Sequence, residues 1–166
     1  MLPIILGKTK VALIGAGDGL ARRQTFLAAS GLLPELLLPD TSAQDLSKFT
    51  ILFLAGLSRS KSETVAAAAR TAGVLVNVED QPDLCDFHVP AVVRRGDLLI
   101  SISTSGRSPG LTKLIRQWIE QALPTAWADW LQEASARRAG WRQSGVAAPE
   151  VAHRTSQLVE QRGWLP

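Results

Sequence analysis

Apolar residues in this chain come in short blocks separated by glycines and polar turns, and the blocks follow two different periods. Val11-Ala12-Leu13-Ile14, Ile51 to Ala55 and Val74 to Val78 are near-continuous apolar runs, the pattern of parallel strands buried on both faces. Glu35-Leu36-Leu37-Leu38, held between Pro34 and Pro39, predicts a further strand kept short by the prolines. Between the runs the period turns helical. Leu20, Ala21, Phe26, Leu27 and Ala28 predict a helix over 20–30 that stops at Gly31, and an alanine-rich stretch predicts another over 61–72, ended by Gly73. Pro39 to Phe49 leaves room only for a connection or a turn of helix. Three strand–helix alternations predict an α/β fold with an open parallel sheet shorter than six strands.

The later part of the chain changes character. Phe87 to Val93 and Leu98 to Ser103 read as two β-runs joined by Arg94-Arg95-Gly96-Asp97, a hairpin whose connection exceeds two residues. Pro109 is placed to start a helix over 110–122, with Leu111, Leu114, Ile115, Trp118 and Ile119 along one side. Pro124 ends it. Residues 125–143 predict another amphipathic helix, and Gly140, Gly145 and Pro149 punctuate a looser segment before a short helix over 150–161. A domain change near 103–109 follows, giving 1–103 as sheet domain with hairpin strands and 104–166 as a small helical region. That region is too small for a comfortable core of its own, so it packs on the sheet domain or on a twin chain. Leu2 to Leu6 reads as a short edge strand or a lead-in.

Composition narrows the class. With 46% apolar and 20% charged residues in 166, the chain reads as a soluble folded protein. No apolar run approaches the ~20 residues that cross a bilayer, and no basic segment precedes Met1 to Leu6, so neither a membrane partner nor a secretory leader is expected. Cys85 is the sole cysteine, which excludes an internal disulfide and a CxxC metal knuckle and suits the cytoplasm. Most of the net charge of +3 comes from basic residues after Arg94, so the second half can meet an anionic ligand. Each single cation there reads first as part of a solvated face. The tryptophans are not interleaved with the basic residues, and a nucleic-acid partner is not expected.

Lys10 to Gly31 carries the clearest chemistry. Strand, glycine turn and helix is the context of a dinucleotide fingerprint. Gly15 allows the tight turn, Gly17 lets the backbone approach a pyrophosphate, and the first-turn N–H groups face that anion. The third, close-packing position falls on Leu20, with glycine one residue early at Gly19. An ordinary strand-to-helix turn has the same outline. On the nucleotide reading the sheet is Rossmann-like. Asp40, 23 residues beyond Gly17, then stands where a carboxylate accepts both ribose hydroxyls; it equally suits a turn cap with Thr41 and Ser42.

Asp80 lies where a parallel strand ends, near Glu79, Asp83 and Asp86. Crowded carboxylates raise at least one pKa and give a group able to take or give a proton; a polar loop after a strand is the plainer reading. His88, inside the expected apolar strand, can serve as a base or ligand, but its neighbours make no convincing metal cluster. Thr104-Ser105-Gly106-Arg107-Ser108 forms a hydroxyl-rich loop ahead of a helix. Such a loop can hold carboxylates or phosphate, and Arg107 can grip a carboxylate with two hydrogen bonds. A serine N-cap before Pro109 explains Ser108 by itself. No nucleophile–histidine–acid set and no phosphate-loop lysine motif is visible.

Four blocks together resemble the precorrin-2 dehydrogenase and sirohydrochlorin ferrochelatase family, the dehydrogenase–chelatase half of siroheme synthase. Leu2-Pro3-Ile4 precedes Val11 to Arg23, where Gly15, Gly17, Asp18 and Arg22-Arg23 follow the family's glycine turn and basic helix start, and Ala16 and Gly19 complete the turn. Asn77-Val78-Glu79-Asp80 and Phe87-His88-Val89-Pro90-Ala91 match its acidic stretch. Ser103 to Pro109 matches its hydroxyl–glycine–serine–proline loop, with Leu111 and Leu114-Ile115-Arg116 continuing into its helix. The match covers about 1–122. It implies NAD-dependent oxidation of precorrin-2 to sirohydrochlorin, followed in some members by insertion of ferrous iron, and a homodimer formed after the sheet.

By the same resemblance, Asp80 is the acidic residue of proton transfer, and the glycine turn with Asp40, Ala55 and Gly56 belongs to the cofactor. His88, the Thr104–Ser108 loop and Lys113 then belong to the polycarboxylate substrate. The chain departs from the family in lacking about one strand–helix unit and in reading Ala55-Gly56-Leu57-Ser58-Arg59 where the family carries Ala-Thr-Asp/Asn-Asp. Leu20 also replaces a small residue. All three departures touch the dinucleotide side, so a non-catalytic tetrapyrrole-binding or structural relative and a generic nucleotide sensor are the competing readings.

Overall fold

The computed structural model describes residues 9–165; the Leu2–Leu6 segment lies outside the described residues. The chain divides between Val89 and Pro90 into two compact units. By sequence the break stands near 103–109; in the structure the hairpin falls with the helices, in the second unit.

In the first unit, four parallel strands form a sheet in the order β2-β1-β3-β4: β1 is Val11–Gly15, β2 Glu35–Leu37, β3 Ile51–Ala55 and β4 Leu75–Val78. Alternation along the central strands divides the core in two. Ala12, Ile14, Leu52, Leu54, Val76 and Val78 pack with Val65, Ala66 and Ala69 of α3 (Arg59–Thr71) and Leu46 of the one-turn α2 (Ala43–Leu46). On the other face, Val11, Leu13, Ile51 and Phe53 pack with Leu27 of α1 (Gly17–Ala29). Burial on both faces is why these strands are unbroken apolar runs rather than alternating ones. β2 is an edge strand, with Leu36 and Leu38 left exposed.

The other edge, β4, has no fifth strand among the described residues, and side chains take the place of one. Asp86 accepts the Val76 N–H at 2.8 Å and the Arg70 Nε–H at 2.8 Å. Cys85 Sγ accepts the Val78 N–H at 3.2 Å. The buried Asn77 donates to the Phe87 carbonyl at 2.9 Å, while the Phe87 ring meets Phe53 edge-on at 5.6 Å. Residues 87–90 are a connection rather than the start of the strand that the sequence predicts over Phe87 to Val93. Pro90 has no N–H for a ladder, and β5 begins at Ala91. Removing the Asp86 acceptor strands a backbone amide at the sheet edge, so Asp86→Ala is expected to cost about 1.5–3 kcal/mol in urea denaturation.

The second unit opens with a hairpin, β5 (Ala91–Arg95) and β6 (Leu98–Ile102), in which Arg95 pairs with Leu98. The connection is the two residues Gly96-Asp97, shorter than expected. Gly96 takes φ 58°, the left-handed first position that a tight hairpin turn demands. Arg95 donates to the carbonyls of Glu120 (2.6 Å) and Leu123 (3.0 Å), and so ties the hairpin to the C-terminus of α4 (Pro109–Ala122). A cation there also suits the helix dipole. α5 (Trp127–Gln143) runs through Gly140, and α6 (Ala148–Arg162) is a full 15 residues, longer than the short helix expected. Trp130 stacks on the buried Trp164 at 5.5 Å and meets Trp127 edge-on at 5.1 Å.

Glu133 on α5 accepts from Arg162 of α6 at 2.6 Å and from Arg137 at 3.3 Å. The Arg162 hydrogen bond, more than any other contact, holds the Glu133 carboxyl below its ordinary value. A depressed folded value contributes stability above the unfolded pKa that is lost as pH falls through the folded one. Wild type is therefore expected to exceed Glu133→Gln in denaturant midpoint near pH 7, and the gap is expected to close near pH 2, where both side chains are neutral.

Candidate functional site

The turn after β1 is built by close backbone approach. Ala16 donates to the Ala55 carbonyl at 3.1 Å, and a Cβ on Gly15 would meet that same oxygen at 2.4 Å. α1 starts at Gly17, earlier than the periodicity predicts. Gly19 takes the close-packing role that the fingerprint places one residue later, since a Cβ there would lie 2.7 Å from Gly56. Gly56 (φ 68°) is as tight, with its Cβ position 2.2 Å from the Ala16 carbonyl oxygen. Gly17 is the exception. It takes φ 53° with nothing within 4 Å of its Cβ position, so its outer side is open.

Serines cap α2, α3 and α4, but Ala16 offers α1 no side-chain acceptor. The N–H groups of Gly17, Asp18 and Gly19 meet no acceptor among the described residues. Open amides on a positive dipole end suit an anion. Asp18 is exposed beside them.

Three strands bring their carboxyl ends to this turn. Gly15 pairs with Ala55, and the Glu79 N–H bonds the Leu54 carbonyl at 2.9 Å. Ala55, Gly56 and Asp80 thus share the sheet edge of the Gly15–Gly19 turn, where open α/β sheets receive ligands. Asp80 takes a left-handed φ of 58°, which aspartate tolerates better than most residues, and it is exposed. Asp40 follows β2 at the same edge. It borders an open groove of about 550 Å³ with Leu37, Asp45 and Lys48.

The carboxylates that the sequence places near Asp80 each have arginine partners. Asp83 pairs with Arg59, whose hydrogen bonds hold its carboxyl below the ordinary value. Asp86 pairs with Arg70, and Glu79 lies beside Arg22 and Arg23. Asp80 makes no salt bridge among the described residues. His88 lies exposed in the connection before β5 rather than in a strand.

In the second unit, the loop before α4 spends two hydroxyls on itself. Thr104 Oγ1 accepts the Ser108 N–H at 3.2 Å and shares a hydrogen bond with Thr112 at 2.9 Å. Ser108 caps α4 by accepting the Leu111 N–H at 3.4 Å. Ser105 and Gly106 take left-handed φ of 54° and 75° and form the tip with Arg107. All three are exposed, as is Lys113 on α4. These four can meet a ligand directly; Thr104 and Ser108 shape the loop.

The model of the family described as "Putative NAD(P)-binding" matches residues 2–91. The chain belongs to this NAD(P)-binding family. A second family model, "Sirohaem biosynthesis protein central", matches residues 95–122. The siroheme synthase of Methylococcus capsulatus is 38% identical over 102 residues, 61% of this chain and 22% of that protein. The siroheme synthase of Tolumonas auensis is 28% identical over 196 residues, 96% of this chain and 41% of that protein. The chain thus spans less than half the length of these relatives. The solved structure of SirC, precorrin-2 dehydrogenase, is similar in fold with TM-score 0.73 at 19% identity, over 96% of this chain and 89% of that one. The resemblance read from the residues, and the Rossmann-like sheet with hairpin and helical part, are borne out.

Proposed function

We propose that the chain catalyses the NAD-dependent dehydrogenation of precorrin-2 to sirohydrochlorin. The observation that carries this reading is the shared sheet edge: a helix N-terminus without a side-chain cap at Gly17 and a carboxylate at Asp80 without a salt bridge among the described residues follow β1 and β4, the two strands that flank β3. The residues fit a dinucleotide. Gly15, Gly19 and Gly56 bring the backbone close, Gly17 leaves room for the pyrophosphate on the first-turn amides, and Asp40 accepts from the adenosine ribose. When bound, the oxidised nicotinamide supplies the hydride acceptor. Asp80 takes the proton that leaves the tetrapyrrole carbon skeleton with that hydride, so two electrons and two protons are removed. Arg107 and Lys113 pair with substrate carboxylates at the loop tip, where Ser105 and Gly106 line the approach, and His88 is assigned to the substrate as well.

In this reading residues 1–103 bind the cofactor and supply dimer strands, and residues 104–166 bind the tetrapyrrole. Leu111, Leu114 and Trp118 of α4 stand 49%, 64% and 67% exposed along one side of the helix, an apolar face suited to a second copy. Ferrous iron is a second substrate, with Asp80 accepting pyrrole protons as the metal enters. The free Cys85 thiol suits the cytoplasm.

The test is an anaerobic assay with precorrin-2, with and without NAD, then with ferrous iron. The sirohydrochlorin spectrum rising only with NAD supports the enzyme. Saturable sirohydrochlorin binding without turnover supports instead a non-catalytic relative.

A further inference from the structure

We infer that Glu79 is a second cofactor-recognition residue, accepting hydrogen bonds from the ribose hydroxyls on the nicotinamide side of the dinucleotide; this rests on the nucleotide reading above. Strand order reverses between β1 and β3, and a dinucleotide lies across that switch point with one nucleoside on each side. Asp40, after β2, stands on the adenosine side. The other half must lie over the ends of β3 and β4, where Glu79 is the first residue past β4.

The carboxylate does not point away from this path. One oxygen lies 2.9 Å from the Cβ position of Gly19, against the first turn of α1 and beside Gly56. The side chain is only 17% exposed. Its ionic neighbours are loose: Arg22 at 3.5 Å and Arg23 at 4.0 Å, and neither carboxylate oxygen accepts a hydrogen bond among the described residues. Arg23 is itself held between the rings of Phe26 (5.7 Å) and Phe53 (5.5 Å). Glu79 is therefore charge-balanced by the arginines while its acceptor lone pairs are left to solvent or a ligand. A ligand bringing two hydroxyl donors satisfies it, whereas a phosphate placed there meets a like charge. Of the dinucleotide's parts between the pyrophosphate and Asp80, the ribose alone has that chemistry.

The test compares ADP, which ends at the pyrophosphate, with ADP-ribose and NAD, which carry the second ribose, by calorimetric titration of the whole chain. Glu79→Gln and the shorter Glu79→Asp are expected to weaken ADP-ribose and NAD by about tenfold and to leave ADP within about twofold. Two variants with different charge guard against a folding defect in one, and circular dichroism reports folding for both. Equal losses for all three ligands, or no loss for any, overturn the role of Glu79 while leaving the nucleotide site in place. Failure of the wild type to bind ADP and ADP-ribose overturns the nucleotide reading and this assignment together.

Discussion

Gly56→Ala is expected to destabilise the sheet unit by about 2–5 kcal/mol and to abolish NAD binding. The new methyl carbon would sit 2.2 Å from the Ala16 carbonyl oxygen, a backbone atom that cannot swing aside as a side chain can. Over-packing of a rigid site costs about 1–3 kcal/mol, and a left-handed φ of 68° adds about 1–2 kcal/mol for any residue with a Cβ. Relief comes only by moving the Gly15–Gly19 turn away from β3, which spoils the anion cradle as well. Urea denaturation reads the first effect and NAD titration the second. A variant with wild-type midpoint and affinity would show that the turn is not packed as described.

Asp80→Asn is expected to lower turnover by about 10²–10⁴-fold, the range for loss of a positioned proton acceptor, while NAD affinity and the denaturation midpoint stay near wild type. Asparagine is the informative replacement because it accepts the left-handed φ of 58°, whereas alanine would add backbone strain. Stability should change little, since Asp80 is exposed and takes part in no salt bridge among the described residues. Wild-type rates in this variant would remove Asp80 from the chemistry.

The framework of the sheet was legible because parallel strands buried on both faces leave continuous apolar runs, and β1, β3 and β4 lie where those runs are. The glycine turn was legible as well, down to the displaced third glycine. Its resolution was not: only the approach of Gly56 shows that Gly19, and not Leu20, is the residue without room for a side chain. The substitutes for a fifth strand could not be read at all. Cys85 and Asp86 serve amides of β4 through side-chain hydrogen bonds, and these carry no periodic signal in the chain.

By polarity Arg94 and Arg95 look like loop residues, which makes the hairpin turn look too long in the sequence. In fact Arg95 closes the ladder and spends its guanidinium on helix carbonyls. The carboxylates near Asp80 look like a crowd in the sequence because their arginine partners are distant along the chain. Arg59 and Arg70 lie on α3 and meet Asp83 and Asp86 only in the fold. In the sequence Glu79 stands only as a neighbour of Asp80. Side chains alternate along a strand, and continuing that alternation past β4 places Glu79 with Asn77 on the α1 side of the sheet.

Amide chemical shifts of the isotope-labelled chain, followed as NAD is added, test the central claim most directly. The account predicts saturable shifts at Gly17, Asp18 and Gly19 together with Gly56 and Asp80, all with one dissociation constant. Shifts at the glycine turn with Asp80 and its strand end unmoved would contradict it.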